Sequence, residues 1–514
     1  MKIDKTDIIS ILLFLAFSVL AFFASYWSMS KGIGVNPDST VYISVARSIM
    51  AGRGFHSLGG ELIHYPPSYP LLLSIGGLLG NDLLLGARIL NSILFFLCAL
   101  IIAIASYIST KKSIIASLFS LLMFVTSAAM ASIFTMAWSE PLFLLSSFLS
   151  FFLLSLFIVT PKRWLLFLSS LFVSLASTTR YAGISLLAPM VIALLILGNR
   201  QLKDRIVDCV LLLLIGCLPL SVWLLRNYAL FRSSTGRSIV FHPIEAHRFA
   251  QLINTLYEFF LPIRGRALMR IPPLILAGAM VVVRVWDKLR DKVQQRDLNV
   301  GYVMQMIISI FTVTYLLFLI VSISIIDAYT PLNERIISPL LFFLILLIPS
   351  LIWNGRLSKG SFSVHWGFLL LFIISIGVNT EAAFSILRKS HSEGLEYSNL
   401  SWQRSDTINY VRSLTTSKTI YSNGSDVIFF LTGKSALQNP KEVDPTTRVL
   451  NPNINKEMNM LRTAIIRNEA IVVYFDAINW RWFLPTREKM ENTYHLPVLL
   501  TLKDGVVYGV QVPQ

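Results

Sequence analysis

The sequence predicts a polytopic α-helical membrane protein with a small α/β domain at its C-terminal end. Three observations predict it. Of 514 residues, 54% are apolar and only 14% are charged, where soluble domains average about 45–50% and about 25%; the mean hydropathy is +0.66. Apolar runs of bilayer-crossing length, about 20 residues, recur between residues 8 and 380. From about residue 390 the polarity becomes ordinary, and short alternating runs replace the long apolar ones.

The spans read in order as 8–28, 71–80 continuing through 83–108, 113–133, 141–160, 164–179, 182–198, 206–225, 271–285, 301–326, 336–353 and 364–380, about eleven crossings at the length a bilayer demands. The first is too long for a cleavable signal peptide, and no small-residue cleavage site precedes the next element. Gly76, Gly77, Gly80, Asn81 and Asp82 break the second, which reads as one span with a re-entrant or interfacial lead-in. Basic loops at Lys111-Lys112, Lys162-Arg163, Arg200 to Arg205, Lys288 to Arg296 and Arg356 to Lys359 alternate with loops poorer in basic residues. The positive-inside rule puts these five in the cytoplasm with Lys2 and Lys5, and an odd number of spans leaves the C-terminal region outside. The expected location is the cell inner (cytoplasmic) membrane. The net charge of +16 follows in large part from those loops, so no nucleic-acid partner is expected. Cys98, Cys209 and Cys217 all lie in apolar stretches, which supports neither a disulfide framework nor a zinc site.

Two domains follow: a membrane domain over 1–385, with outer loops at 29–70 and 226–270, and an extracytoplasmic α/β domain over 386–514. In the second, Lys418–Ser422, Val427–Leu431, Ala470–Phe475 and Val506–Val510 read as strands, with turns at Ser422 to Ser425 and Lys503 to Gly505. No internal repeat is evident.

The side assignment collects Asp38, His64 to Pro67, Trp138 to Glu140, Thr179 to Ala182, Arg226 to Arg248 and Asn333 to Arg335 on the outer face. Charges gathered where the topology rule leaves few arginines point to function. Each has a plainer reading as well. In Asn36-Pro37-Asp38-Ser39, Asn36 suits a helix cap, Pro37 the first position and Asp38 the first-turn dipole. Yet Asp38, Tyr42, Val45 and Ile49 share one stripe of the helix that follows, so the acid is directed with packing residues, and an inward carboxylate needs a partner or a use. Glu140 in Trp138-Ser139-Glu140-Pro141 reads either as helix-start electrostatics with Ser139 as cap or as the second acid of a transferase pair. Arg180 and Arg335 sit at span ends, as phosphate binders or as interfacial arginines reaching lipid headgroups; Glu334 beside Arg335 is its nearest partner in sequence. His64-Tyr65-Pro66-Pro67 reads as a rigid lead-in, with its rings in the aromatic belt or under a sugar. No P-loop, dinucleotide fingerprint, nucleophile elbow or His-Glu-x-x-His motif occurs.

At these residues the chain resembles GT-C fold glycosyltransferases, in particular the bacterial group of protein O-mannosyltransferases and lipid A aminoarabinose transferases. The resemblance rests on Asp38 with Tyr42 and Ala46-Arg47, then Gly52-Arg53-Gly54-Phe55; on Tyr65-Pro66-Pro67 with Tyr69-Pro70; on Ser139-Glu140-Pro141; on Thr179-Arg180-Tyr181-Ala182-Gly183; and on Glu334-Arg335 with Pro339. It covers roughly residues 1–380 by order and spacing. It implies an inverting transferase that takes a sugar from a polyprenyl-phosphate donor at the outer face and passes it to a lipid, polysaccharide or protein acceptor. Asp38 would be the base, Glu140 a second acid, Arg335 and Arg180 the binders of the donor phosphate, and Tyr42, His64, Tyr65 and Glu334 substrate contacts. Many relatives carry a second acid beside the first, where this chain has Ser39; a divalent metal stays open and no other cofactor is implied. Tyr65 stands where aminoarabinose transferases tend to carry Lys. A transporter or flippase of lipid-linked sugars is the alternative, and it predicts charged or unwound helix centres and a two-fold repeat. An assembly factor with a partner-binding outer domain is a third reading.

Overall fold

Helices built from the apolar runs form one bundle, with a five-stranded sheet beyond one end. The structure, a computed structural model, describes residues 4–58, 60–80, 82–262, 298–353, 362–415 and 417–511. Five helices among them have the length and hydropathy to cross a membrane: Lys5–Ser28, Leu83–Ser109, Glu140–Val159, Leu202–Phe231 and Val300–Ile325. The helices Ile114–Val125 and Ala128–Phe134 together make a sixth, bent by 58°. The protein is thus a multi-pass membrane protein. Leu20, Leu214, Leu218 and Leu225 lie exposed on the long helices, as side chains facing lipid do. Shorter apolar helices at Ser68–Leu78, Arg163–Thr179 and Tyr181–Leu197, and the helices Glu334–Trp353 and Phe362–Glu393, pack with them. The expected span 271–285, the basic loops after it at 288–296 and 356–359, and the end of the outer loop at 263–270 lie outside the described residues.

The breaks have local causes. Asp82 caps the helix that starts at Leu83 by accepting from the Leu84 N–H, so the helix Leu83–Ser109 is the expected span and the separate short helix Ser68–Gly80 is its lead-in. They meet closely at Gly86, where a Cβ would run into the Gly76 backbone. The expected span 113–133 bends because Ser127 caps a new helix through the Met130 N–H. Buried serines along the bundle return their hydroxyls to carbonyls of their own helix, as Ser146 does to Leu142 and Ser147 to Phe143, both at 2.7 Å. Each such bond satisfies a hydroxyl that would otherwise be bare in an apolar setting.

At the end of the bundle where the helix 5–28 begins, Asp7 accepts from Lys112 Nζ at 2.7 Å and from the Tyr107 hydroxyl at 3.0 Å. The candidate site lies at the opposite end. The helix Phe362–Glu393 runs on past residue 385, and the chain changes direction at Gly394, whose φ of 80° a side chain would resist.

The strands, β1 (His56–Ser57), β2 (Gly60–Glu61), β3 (Thr419–Ser422), β4 (Leu437–Gln438), β5 (Ala470–Phe475), β6 (Val498–Leu502) and β7 (Gly505–Tyr508), form a hairpin from the first two and a sheet ordered β4-β3-β5-β7-β6. β3 runs parallel to both β4 and β5; β7 is antiparallel to β5 and β6. Every residue of β5 is buried, as a central strand covered on both faces requires. The segment 427–431, expected to be a strand, lies in the helix Ser425–Thr432, which Gly433 closes in the left-handed region. A short apolar run does not distinguish the two states by periodicity; the closing glycine does.

A short extended segment, Ile33 to Val35, joins the sheet region to the bundle. On one side the Gly34 N–H donates to Thr135 O at 2.9 Å and the Ala137 N–H to Gly34 O at 2.8 Å. On the other the Tyr397 N–H donates to Val35 O at 2.8 Å and Ser398 Oγ to Ile33 O at 2.7 Å. Asp38 follows three residues later.

Candidate functional site

Four helix ends meet beside that segment, and each delivers one charged side chain. Asn36 caps the helix Pro37–Met50 by accepting from the Ser39 N–H, with Pro37 in the first turn, so Asp38 leaves its first turn. Glu140 opens the helix 140–159 ahead of Pro141. Arg335 opens the helix Glu334–Trp353, and Arg180 closes the helix 163–179. Three of the four ends are N-termini, whose free N–H groups and dipoles favour an anion.

The four side chains form one connected network. Arg335 donates through Nη1 to Asp38 Oδ2 at 2.6 Å and through Nε to Glu140 Oε1 at 2.5 Å. Glu140 also pairs with Arg180, whose Nη1 lies 3.2 Å from Ser139 Oγ. Glu140 is 1% exposed, and its Oε2 has no hydrogen-bond partner among the described residues. The Trp138 ring lies under the Arg335 guanidinium at 4.6 Å, a cation–π contact strengthened by desolvation. Two carboxylates and two guanidiniums leave the cluster neutral.

Tyrosines line the Asp38 side. The Tyr65 hydroxyl donates to Asp38 Oδ1 at 2.5 Å. Tyr42, on the same helix as Asp38, is buried with its hydroxyl 3.4 Å from Ser139 Oγ, and its ring packs edge-on against both Tyr65 and Tyr69. Burial opposes charge on Asp38, but Arg335, the Tyr65 hydroxyl and Arg180 together outweigh it and hold the carboxyl below its ordinary value. Burial, and after it Asp38, push the phenols of Tyr42 and Tyr65 up, so both remain hydrogen-bond donors.

Six of the residues singled out from sequence therefore come together: Asp38, Glu140, Arg335, Arg180, Tyr42 and Tyr65. Two do not join the network. The His64 ring abuts Gly236, where burial, and after it Arg237, lower its basicity. Glu334 makes no ion pair among the described residues; Arg335 turns away from its neighbour to Asp38 and Glu140. Ser139 makes no side-chain cap, because its hydroxyl faces Arg180 instead. Of the loop arginines, Arg226 pairs with Glu61 and Arg237 with Asp327. Trp138 and Tyr69 lie inside motifs read from sequence but were not singled out there as site residues. No group of three or more His, Cys, Asp or Glu side chains stands close enough to hold a metal among the described residues; the Arg335 guanidinium occupies the space between the two carboxylates.

No family model matches the chain, and no curated protein matches it. Solved structures do. The chain is similar to ArnT from Cupriavidus metallidurans bound to undecaprenyl phosphate (TM-score 0.56, 13% identity, 97% of each chain covered). It is also similar to the arabinofuranosyltransferase AftD from Mycobacteria (TM-score 0.55, 12% identity, 98% of this chain and 40% of that one). The archaeal oligosaccharyltransferase AglB from Archaeoglobus fulgidus, in complex with an inhibitory peptide and a dolichol-phosphate, matches with a TM-score of 0.51 and 12% identity over 91% of this chain and 70% of that one. All are GT-C fold glycosyltransferases, and the fold of this chain is the GT-C fold.

Proposed function

We propose that the protein transfers a sugar from a polyprenyl-phosphate donor to an acceptor hydroxyl at the outer face of the inner membrane, with inversion. The observation that carries this reading is the neutral network of Asp38, Arg335, Glu140 and Arg180 at the meeting of three helix N-termini. The ArnT and AglB structures, bound to a lipid phosphate, support a donor of that kind. The basic loops support a cytoplasmic N-terminus, about eleven spans, and a division into a membrane domain over 1–385 and an extracytoplasmic domain over 386–514.

In the proposed step the acceptor hydroxyl attacks the anomeric carbon from the face opposite the phosphate, and its proton passes to Asp38. The C–O bond to the phosphate breaks, and the bond pair leaves with the lipid phosphate, whose charge Arg335 and Arg180 offset. Without donor, Asp38 is paired with Arg335 and is a weak base. A lipid phosphate that draws Arg335 to itself strengthens that base while the leaving group gains its cation. Glu140 anchors both arginines.

The test is sugar transfer by the full-length Asp38→Asn protein in membranes containing an undecaprenyl-phosphate sugar. Loss of a general base lowers the rate by about 10²–10⁴-fold. Normal transfer at normal expression refutes the role given to Asp38, and full retention of lipid-sugar movement without transfer favours the transporter reading.

A further inference from the structure

Beyond the network lies a cleft with about 290 Å³ of free volume, lined by His247, Arg248, Tyr329, Pro331, Arg448 and Trp482. Three separate parts of the chain build it: the helix Ala246–Phe260, the turn before Arg335, and the loops of the sheet domain. Its size is at the small end of ligand pockets.

Arg248 is the unusual member. It is 9% exposed and makes no ion pair among the described residues. Its Nη2 donates to Ala328 O at 3.0 Å and lies 3.4 Å from Tyr329 O, and Nη1 lies 3.4 Å from Gln251 Oε1. Its Nε has no hydrogen-bond partner among the described residues. A buried guanidinium held by carbonyls and by no carboxylate is incompletely compensated, and it attracts an anion. Arg448 and His247 stand beside it, both paired with Glu245; the other acid nearby, Asp327, is paired with Arg237.

The remaining walls suit a sugar ring. Trp482 is 47% exposed, and its ring stands 6.4 Å from that of Tyr329. Aromatic faces beside polar groups offer the apolar side of a saccharide a flat surface while its hydroxyls stay hydrated. Pro331 lies four residues before Arg335, so one wall of the cleft is the turn that leads into the network.

The geometry points to this cleft as the acceptor subsite, taking a negatively charged saccharide whose phosphate or carboxylate meets Arg248 and Arg448 and whose ring lies on Trp482. The acceptor role rests on the proposed transfer; the binding does not.

Ligand-observed saturation-transfer NMR on the full-length protein in detergent tests it, with glucose 6-phosphate, glucuronate and glucose as probes. At least one of the two anionic probes binds and glucose does not, and the two together show whether phosphate or carboxylate is preferred. Arg448→Gln weakens binding about tenfold or more, the size of a charge-assisted contact, and Trp482→Ala weakens it about threefold or more through loss of the aromatic face. Excess undecaprenyl phosphate leaves binding intact. Equal binding of glucose, wild-type binding by both variants, or full displacement by undecaprenyl phosphate overturns the assignment. Since the measurement needs no turnover, its failure is separable from failure of the transferase reading, which Asp38→Asn decides.

Discussion

Arg335 joins the two acids, and removing it acts on each differently. Asp38 is held below its ordinary value against the opposing effect of burial; without Arg335 that burial is opposed by less, and the carboxyl rises. The acid limb of kcat/KM reports the free enzyme. In the native protein the limb due to Asp38 therefore lies below the usual aspartate value of about 3.9, and activity holds as pH falls toward it. In Arg335→Gln the residual activity, lower by about 10²–10³-fold for loss of a charge-stabilising donor, is lost at higher pH than in the native protein. A pH profile of the variant whose acid limb has not moved upward refutes the coupling. Glu140→Gln leaves Arg335 and Arg180 without their shared buried carboxylate, and breaking a buried pair this way costs about 3–5 kcal/mol. A thermal melt of the purified variant is expected to show marked destabilisation, whereas Asp38→Asn, at a partly exposed side chain, lowers stability far less. At this scale the charged residues were legible in sequence because ionisable groups at span ends are few. Their partners were not: nothing in the order of residues says that Arg335 prefers Glu140, 195 positions away, to the adjacent Glu334.

Among the elements, the extended segment 33–35 is the one whose exact fit is most exposed to substitution. Gly34 lies against Met136, with Leu395 Cβ 3.1 Å and Thr135 O 3.2 Å from where a Cβ would stand. Gly34→Val forces these apart, at a cost of roughly 1–3 kcal/mol for overpacking. Partial proteolysis is expected to cut near Gly394 sooner in the variant, with transfer reduced although no charged residue has changed. Unchanged cutting and unchanged transfer refute this account. Sequence made the helix at 37–50 legible through Asn36, Pro37 and the stripe of Tyr42 and Val45, both buried. It did not reveal the strap, because three residues paired to distant backbone carry no periodicity. The helix at 425–432 was misread for a related reason: its eight residues are too few to separate one period from another.

At the level of the whole molecule, composition and hydropathy were enough for a multi-pass bundle, since long apolar helices are the common way to bury backbone polar groups in lipid. The motif order pointed to the GT-C fold that the structure has. The sheet was half legible: β3 alternates and β5 and β7 are short, wholly buried runs rich in β-branched and aromatic residues, whereas the two-residue β4 and the exposed edge strand β6 offered little to read. The strap also bears on when the protein becomes whole. Val35 is paired with Glu396 and Tyr397, so the segment that leads into Asp38 waits for residues made 361 positions later. At about 5–20 residues per second of synthesis, that is a delay of roughly 20–70 s. A chain halted before residue 396 carries all four charged side chains of the network but has only one of the two backbone partners, the one near Met136, that hold the segment leading into the first of them.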